Sequence, residues 1–254
     1  MNHDVLRILA SVHEADLVAL EACEVDDPAE IRRRSLLALE RSPLSVNAWC
    51  LLAAQEPDGS DDQIDLLHRA MTAAQTLAGV RMQDDRPVPA EGQLTRPLVK
   101  AMAQLGRALQ ARGNYDGAIE VFRDVLDFDP ADGFRVRYDL VKCLLLTGHI
   151  ARLQRLLNHF DADTSATWRW TRALTAFKLE QDSDEANDAL EQALDSNPYI
   201  GPYLLNRLSW DGKTPAAYQA AEETEAAWYS DHFREHWDAR PQAKLWLAER
   251  TGLA

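Results

Sequence analysis

The sequence predicts an all-α chain in which antiparallel helical hairpins stack into an α-α superhelix, ended by an aromatic-rich C-terminal helical cap. Three observations predict it. The segment from Ala118 to Pro130 recurs in pattern 68 residues later, from Ala186 to Pro198. Helix-ending residues punctuate each unit: Gly113-Asn114 breaks a first helix and Asp129-Pro130 stops the second. The chain has 254 residues, 46% hydrophobic and 27% charged, enough to bury a core without help from a metal, a cofactor or a disulfide.

A spacing of 68 residues is two repeats of 34, the tetratricopeptide length. Counting Val99 as first position, Met102, Leu105, Gly106, Leu109, Tyr115, Ala118, Phe122, Val125 and Pro130 fall at or near that repeat's signature places. Leu105 and Leu109 lie one helical turn apart on a buried face, and Gly106 lets the second helix approach closely.

Taken in order, residues 1–80 read as degenerate helical hairpins. Ile31 to Pro43 is a second helix; Val46 to Ala54, with Trp49 at its fourth position, is the next first helix, and Asp61 to Leu77 its partner. Arg81 to Thr95 carries Pro87, Pro89 and Gly92 without a sustained apolar period and reads as a loop. Residues 96–198 hold three hairpins, the middle one running from Gly133 to Asp163 after a one-residue slip. Residues 199–254 form the cap: Tyr199 to Trp210, a turn at Asp211-Gly212-Lys213, Thr214 as N-cap before Pro215, then helices from Ala216 to Asp238 and Pro241 to Thr251. A terminal unit must cover the last repeat's apolar face, which accounts for Trp228, Trp237 and Trp246 there.

Arg96-Pro97, Leu105 to Leu109, Gly133 to Tyr138, Asn197 to Leu205 and Pro241 to Leu247 resemble the bacterial tetratricopeptide proteins similar to the suppressor of tumorigenicity 7 family. The likeness covers about residues 28–247. The family usually carries an aromatic-rich stretch ahead of its Arg-Pro, where this chain has Pro89 to Thr95. The resemblance implies a non-catalytic helical scaffold without an assigned activity or ligand.

A net charge of -14 argues against a surface that wraps nucleic acid, so a basic site has to be local. Charge sorts by helix. Arg96, Lys100, Arg107 and Arg112 lie in a stretch with no acidic residue, whereas the following helix carries Asp116, Glu120, Asp124 and Asp127. First helices line the inner wall of such a stack. Lys100, Arg107, Arg135, Tyr138, Lys142 and Arg172 are therefore expected to form a basic groove for a protein or peptide partner bearing carboxylates. The opposing expectation is that these charges only keep a helical face soluble.

Other chemistry is sparse. Cys23, Cys50 and Cys143 are odd in number and set among apolar neighbours, as small hydrophobes are. His232 and His236 are four apart, on one helical face, with no third metal ligand evident. Trp168 and Trp170 are candidate stacking surfaces for a ligand, with Trp170 at a packing position that favours the core. No phosphate loop or nucleophile motif is present. The expectation is a cytoplasmic interaction module, not an enzyme, with no cofactor, metal, nucleic acid or membrane, acting as monomer or homodimer. The start Met1-Asn2-His3-Asp4 shows no secretory pattern. Two alternatives remain: a structural protein that self-associates through its Trp-rich C-terminal helices, and an enzyme whose site assembles only on folding.

Overall fold

The structure, a computed structural model, describes residues 3–81, 91–214 and 218–253, the backbone alone for 91–95. The described residues are helical and loop, without a strand. The helices are α1 (His3–Ala22), α2 (Pro28–Arg41), α3 (Val46–Ala53), α4 (Asp61–Arg81), α5 (Glu91–Ala111), α6 (Tyr115–Phe128) and α7 (Val136–Leu146). They continue with α8 (Ile150–His159), α9 (Ala166–Glu180), α10 (Asp184–Ser196), α11 (Ile200–Leu204), α12 (Glu223–Asp238) and α13 (Pro241–Thr251). The chain divides into two compact units, Met1–Cys143 and Leu144–Ala254, with the boundary inside α7.

In the first unit α1 packs on α2, α3 on α4 and α5 on α6, and the first helices α1, α3 and α5 also touch in sequence. Short polar residues start these helices. Asp27 accepts from the Ala29 amide ahead of Pro28, Ser45 from Ala48, and Asn114 from Gly117. The core is built from small side chains. Ala53, Ala70, Ala73, Ala74, Ala101 and Ala108 mesh with Val46, Leu67 and Leu105 between α3, α4 and α5. Gly106 is required by the α5–α6 crossing, because a Cβ there would overlap the fully buried Phe122 ring.

The second unit pairs α9 with α10 and lays α13 against α9. Its core is aromatic. Trp170 meets Trp237 at 5.9 Å between ring centroids, Phe177 stacks on Trp246 at 4.8 Å, and Tyr229 on Phe233 at 4.8 Å. Polar ties place the cap. The Trp246 indole donates to Asn187 Oδ1 (2.9 Å), Arg250 to Asp182 (2.7 Å), and Asn197 to the buried Glu225 (3.0 Å). The expected aromatic cover over the last repeat is present, and Trp237 and Trp246 are buried inside it.

Three boundaries differ from expectation. The stretch read as a loop to Thr95 is helical from Glu91, with Pro97 inside α5, while 82–90 lie outside the described residues. The helix expected to reach Trp210 ends at Leu204, since Asn206 turns left-handed (φ 55) and the Arg207 amide closes onto Pro202 O at 2.8 Å. The expected Pro215 start lies outside the described residues, and α12 begins at Glu223. There Thr224 Oγ1 and the Glu225 carboxylate accept from the Gln219 and Ala221 amides, gathering the incoming chain.

Cys50 and Cys143 are buried and Cys23 is exposed, all three as free thiols. Burial pushes the Cys50 thiol up to about 11 and the Cys143 thiol to about 12.

Candidate functional site

In the first unit the expected basic residues sit on α5 (Lys100, Arg107), just before α7 (Arg135) and on α7 (Lys142), and α3 supplies a neutral partner. Lys100 on α5 donates to Asn47 Oδ1 on α3 at 2.7 Å. Arg107, two turns further along α5, gives its Nε to Asp139 Oδ2 on α7 (2.9 Å) and an Nη to the Phe134 carbonyl (2.8 Å). Two polar rungs thus cross the three helices. Asn47 and Lys100 both hold the second position of a first helix, so aligning the repeats was the signal that would have paired them. Nothing in the repeat pattern pointed to Asp139.

The partners decide what the rungs can do. Asn47 is neutral, so this bond holds the Lys100 ammonium in place without supplying a counter-charge. The Arg107 side chain is 45% exposed and Asp139 22%, and an ion pair so wetted contributes at most about 1 kcal/mol. Arg107 is accordingly aimed by its partners without being consumed by them, two of its five N–H donors going to these bonds.

The start of α7 adds a second arrangement. Asp132 is fully buried in its side chain and left-handed (φ 53). Its carboxylate accepts from the Val136 amide (2.6 Å), the Arg137 amide (3.2 Å) and the Arg137 guanidinium (2.9 Å). Burial holds this carboxyl above its usual range against those three donors. Arg137, fixed in this way, lies 4.6 Å from the Tyr138 ring centroid and donates to its hydroxyl at 3.1 Å. Arg135, exposed and itself at φ 56, lies 5.1 Å from the same centroid. Tyr138 therefore carries two guanidiniums over its ring, a cation–π arrangement that joins Arg137 to the expected groove residues Arg135 and Tyr138. Lys142 is half-buried on α7.

Arg172 belongs to the second unit and to other surroundings. It donates to the Leu157 carbonyl (2.7 Å) and Asn158 Oδ1 (3.2 Å). It lines a cleft of about 510 Å³ among α8, α9 and α10, together with Asp161, Glu180, Glu185 and Asp188. The uniformly basic wall expected from sequence thus gives way at Arg172 to a mainly acidic surround.

The remaining expectations resolve locally. Trp168 is as buried as Trp170 and its indole faces the Leu157 carbonyl at 3.4 Å, so neither ring is open to a ligand. The His232 ring stacks on Trp228 with Nδ1 2.8 Å from the Trp228 carbonyl oxygen, and His236 is buried. Among the described residues no three His, Cys, Asp or Glu side chains gather as metal ligands. No helix among them is long and apolar enough to cross a membrane.

A family model described as Transcriptional repressor TCF25 matches residues 89–251, which takes in α5 to α13. The chain belongs to the Tcf25 family. The Tcf25 match does not extend to the suppressor of tumorigenicity 7 family, whose likeness stays with the motifs quoted above. No curated protein matches the chain. Among solved structures it is similar to YrrB, titled "a TPR protein with an unusual peptide-binding site", at 15% identity and a TM-score of 0.46, covering 74% of this chain and 85% of that one. Both rungs and the Tyr138 arrangement rest on Tcf25-matched residues, except for Asn47.

Proposed function

We propose that the chain is a non-catalytic protein-interaction scaffold that holds a carboxylate-bearing protein segment along the face shared by α3, α5 and α7. The observation that carries this reading is the pair of rungs. They fix Lys100 and Arg107 on one helix, with their charge largely unspent, in a chain whose overall charge is -14. An approaching carboxylate replaces the neutral Asn47 amide at Lys100 and adds to the free donors of Arg107, with charge-assisted bonds in both places. Arg135, held against the Tyr138 ring, adds an exposed guanidinium at the start of α7. Lys142 extends the positive face along α7. Arg172, set among carboxylates in the second unit, is left out of this reading.

The Tcf25 family is described as a transcriptional repressor, and the acidic surface of this chain supports a role exerted through proteins rather than by wrapping DNA. The Trp-rich self-association alternative loses its main surface, because Trp237 and Trp246 are occupied within their own unit.

Fluorescence anisotropy with labelled glutamate-rich peptides and glutamine-matched controls tests the reading. The wild type is expected to bind the glutamate series selectively, and Lys100→Gln with Arg107→Gln to lose about tenfold or more while its circular dichroism melt stays unchanged. Equal binding of the glutamine controls, or equal affinity of the double variant, overturns it.

A further inference from the structure

Beside Arg107 the first unit contains a hollow of about 380 Å³. Its walls include Ala53 and Ala54 at the end of α3, Leu67 on α4, and Ala108 and Ala111 on α5, with Arg107 at the edge. Alanines account for the space, since each leaves its share of the wall one methyl deep. Besides Arg107 its polar lining is Gln63, Gln104 and the exposed Asp58; Gln63 is already satisfied, its oxygen accepting from the Gly59 amide (2.8 Å) and its nitrogen donating to the Ala53 carbonyl (3.2 Å). It therefore asks nothing of a ligand.

A strut keeps the walls apart. Arg112, one residue beyond α5, donates to the Gly59 carbonyl and to Asp61 Oδ1, both at 2.6 Å. The turn between α3 and α4 is thereby pinned to the end of α5. Gly59 fits so tightly against the Arg112 backbone that a Cβ would lie 2.7 Å from its amide nitrogen. The α3–α4 turn cannot slide inward to close the hollow.

We infer that this hollow receives one apolar side chain, of leucine to phenylalanine size, from the same segment whose carboxylates meet Lys100 and Arg107. The inference rests on the proposed reading of the α3–α5–α7 face and narrows its partner to an acidic segment bearing an apolar anchor. The occupant follows from the wall chemistry and the charge at the rim. Alanine methyls and Leu67 favour an apolar group, Arg107 at the edge favours a neighbouring carboxylate although the exposed Asp58 also borders the hollow, and about 380 Å³ is ample for one large apolar side chain. A side chain in a preformed recess beside a charge contact is the usual form of a binding hot spot.

The probes are a glutamate-rich peptide with alanine at every uncharged position, and its leucine walk, in which one alanine at a time becomes leucine. The alanine peptide reports the charged face alone. Wild type is expected to bind one or two members of the walk about tenfold more tightly than the alanine peptide. Ala54→Leu and Ala111→Leu replace exposed alanines at helix ends and fill the hollow from its rim. Each is expected to abolish the leucine increment and leave the alanine peptide's affinity unchanged, while Ala54→Ser, which fills nothing, keeps both. No leucine increment in wild type, or an increment that survives filling, overturns the anchor and leaves the face standing. Loss of both signals in a filled variant with an unchanged melt also overturns it. Failure of the alanine peptide to bind wild type refutes the face itself.

Discussion

Asp132 shows what a single residue does at the edge of the site. Its carboxylate closes the start of α7 and clamps Arg137, and through Arg137 it sets the second guanidinium over Tyr138. Replacing it with alanine takes the carboxylate from the half-buried Arg137 guanidinium, leaves two amides unsatisfied and puts a Cβ-bearing residue with no local hydrogen bond at φ 53. Asp132→Ala is expected to cost about 3 kcal/mol in urea denaturation. Asp132→Asn tolerates the left-handed backbone, keeps one acceptor and should cost about half as much. Equal losses would show that the charge, not the cap, is what α7 needs. The sequence displayed Arg135 and Tyr138 as neighbours in the chain, but Asp132 looked like one more turn residue. Its burial is decided by tertiary packing, to which local pattern is blind.

At the scale of the element, the two strongest hairpins solve one packing problem in opposite ways. Gly106 faces Phe122 between α5 and α6, and the positions 68 residues later are Leu174 and Leu190, both buried, in α9 and α10. One pair is smallest with largest, the other medium with medium, so the bulk is divided differently between the two helices. Gly106→Leu should therefore destabilise by about 2–3 kcal/mol through overpacking, although leucine is the better helix former. Adding Phe122→Leu should recover most of that loss in the same denaturation series. No recovery would mean that the α5–α6 crossing depends on the ring itself. Such pairs explain why the hairpins were readable from residue spacing. Boundaries were less so. Pro87, Pro89 and Gly92 look like breakers, yet the backbone is helical from Glu91 and carries Pro97 as its seventh residue, where one intrahelical hydrogen bond is given up. The end of α11 depended on Asn206 taking a left-handed turn that many residues could have supplied.

Across the whole molecule, the aromatic load is uneven. Trp49 is the lone tryptophan of residues 1–143, and the other six of the seven follow Cys143. Tryptophan fluorescence therefore reports chiefly on residues 144–254. Two buried phenols lie there as well. Burial, with the Glu223 carboxylate accepting from the hydroxyl, drives Tyr203 up to about 12, and burial drives Tyr229 further upward. A raised phenol binds its proton more tightly folded than unfolded, so its contribution is complete below the ordinary value near 10 and is lost as pH rises toward 12. The midpoint followed by tryptophan fluorescence should fall between pH 9.5 and 11.5, at up to about 1.4 kcal/mol per pH unit for each phenol. Tyr203→Phe should flatten that slope. A midpoint indifferent to pH in this range would place both hydroxyls in contact with water.

The three thiols have a practical consequence. Thiolate, not thiol, reacts with alkylating agents, and the groups at Cys50 and Cys143 are both enclosed and held far from ionisation, while Cys23 stands open. The unaltered chain thus comes with a single handle for a dye or spin label at the end of its first helix. It also carries two silent positions, one between α3 and its neighbours and one on α7, that begin to react only when the structure around them opens. Counting labels against time on the intact mass would clock that opening without changing a residue.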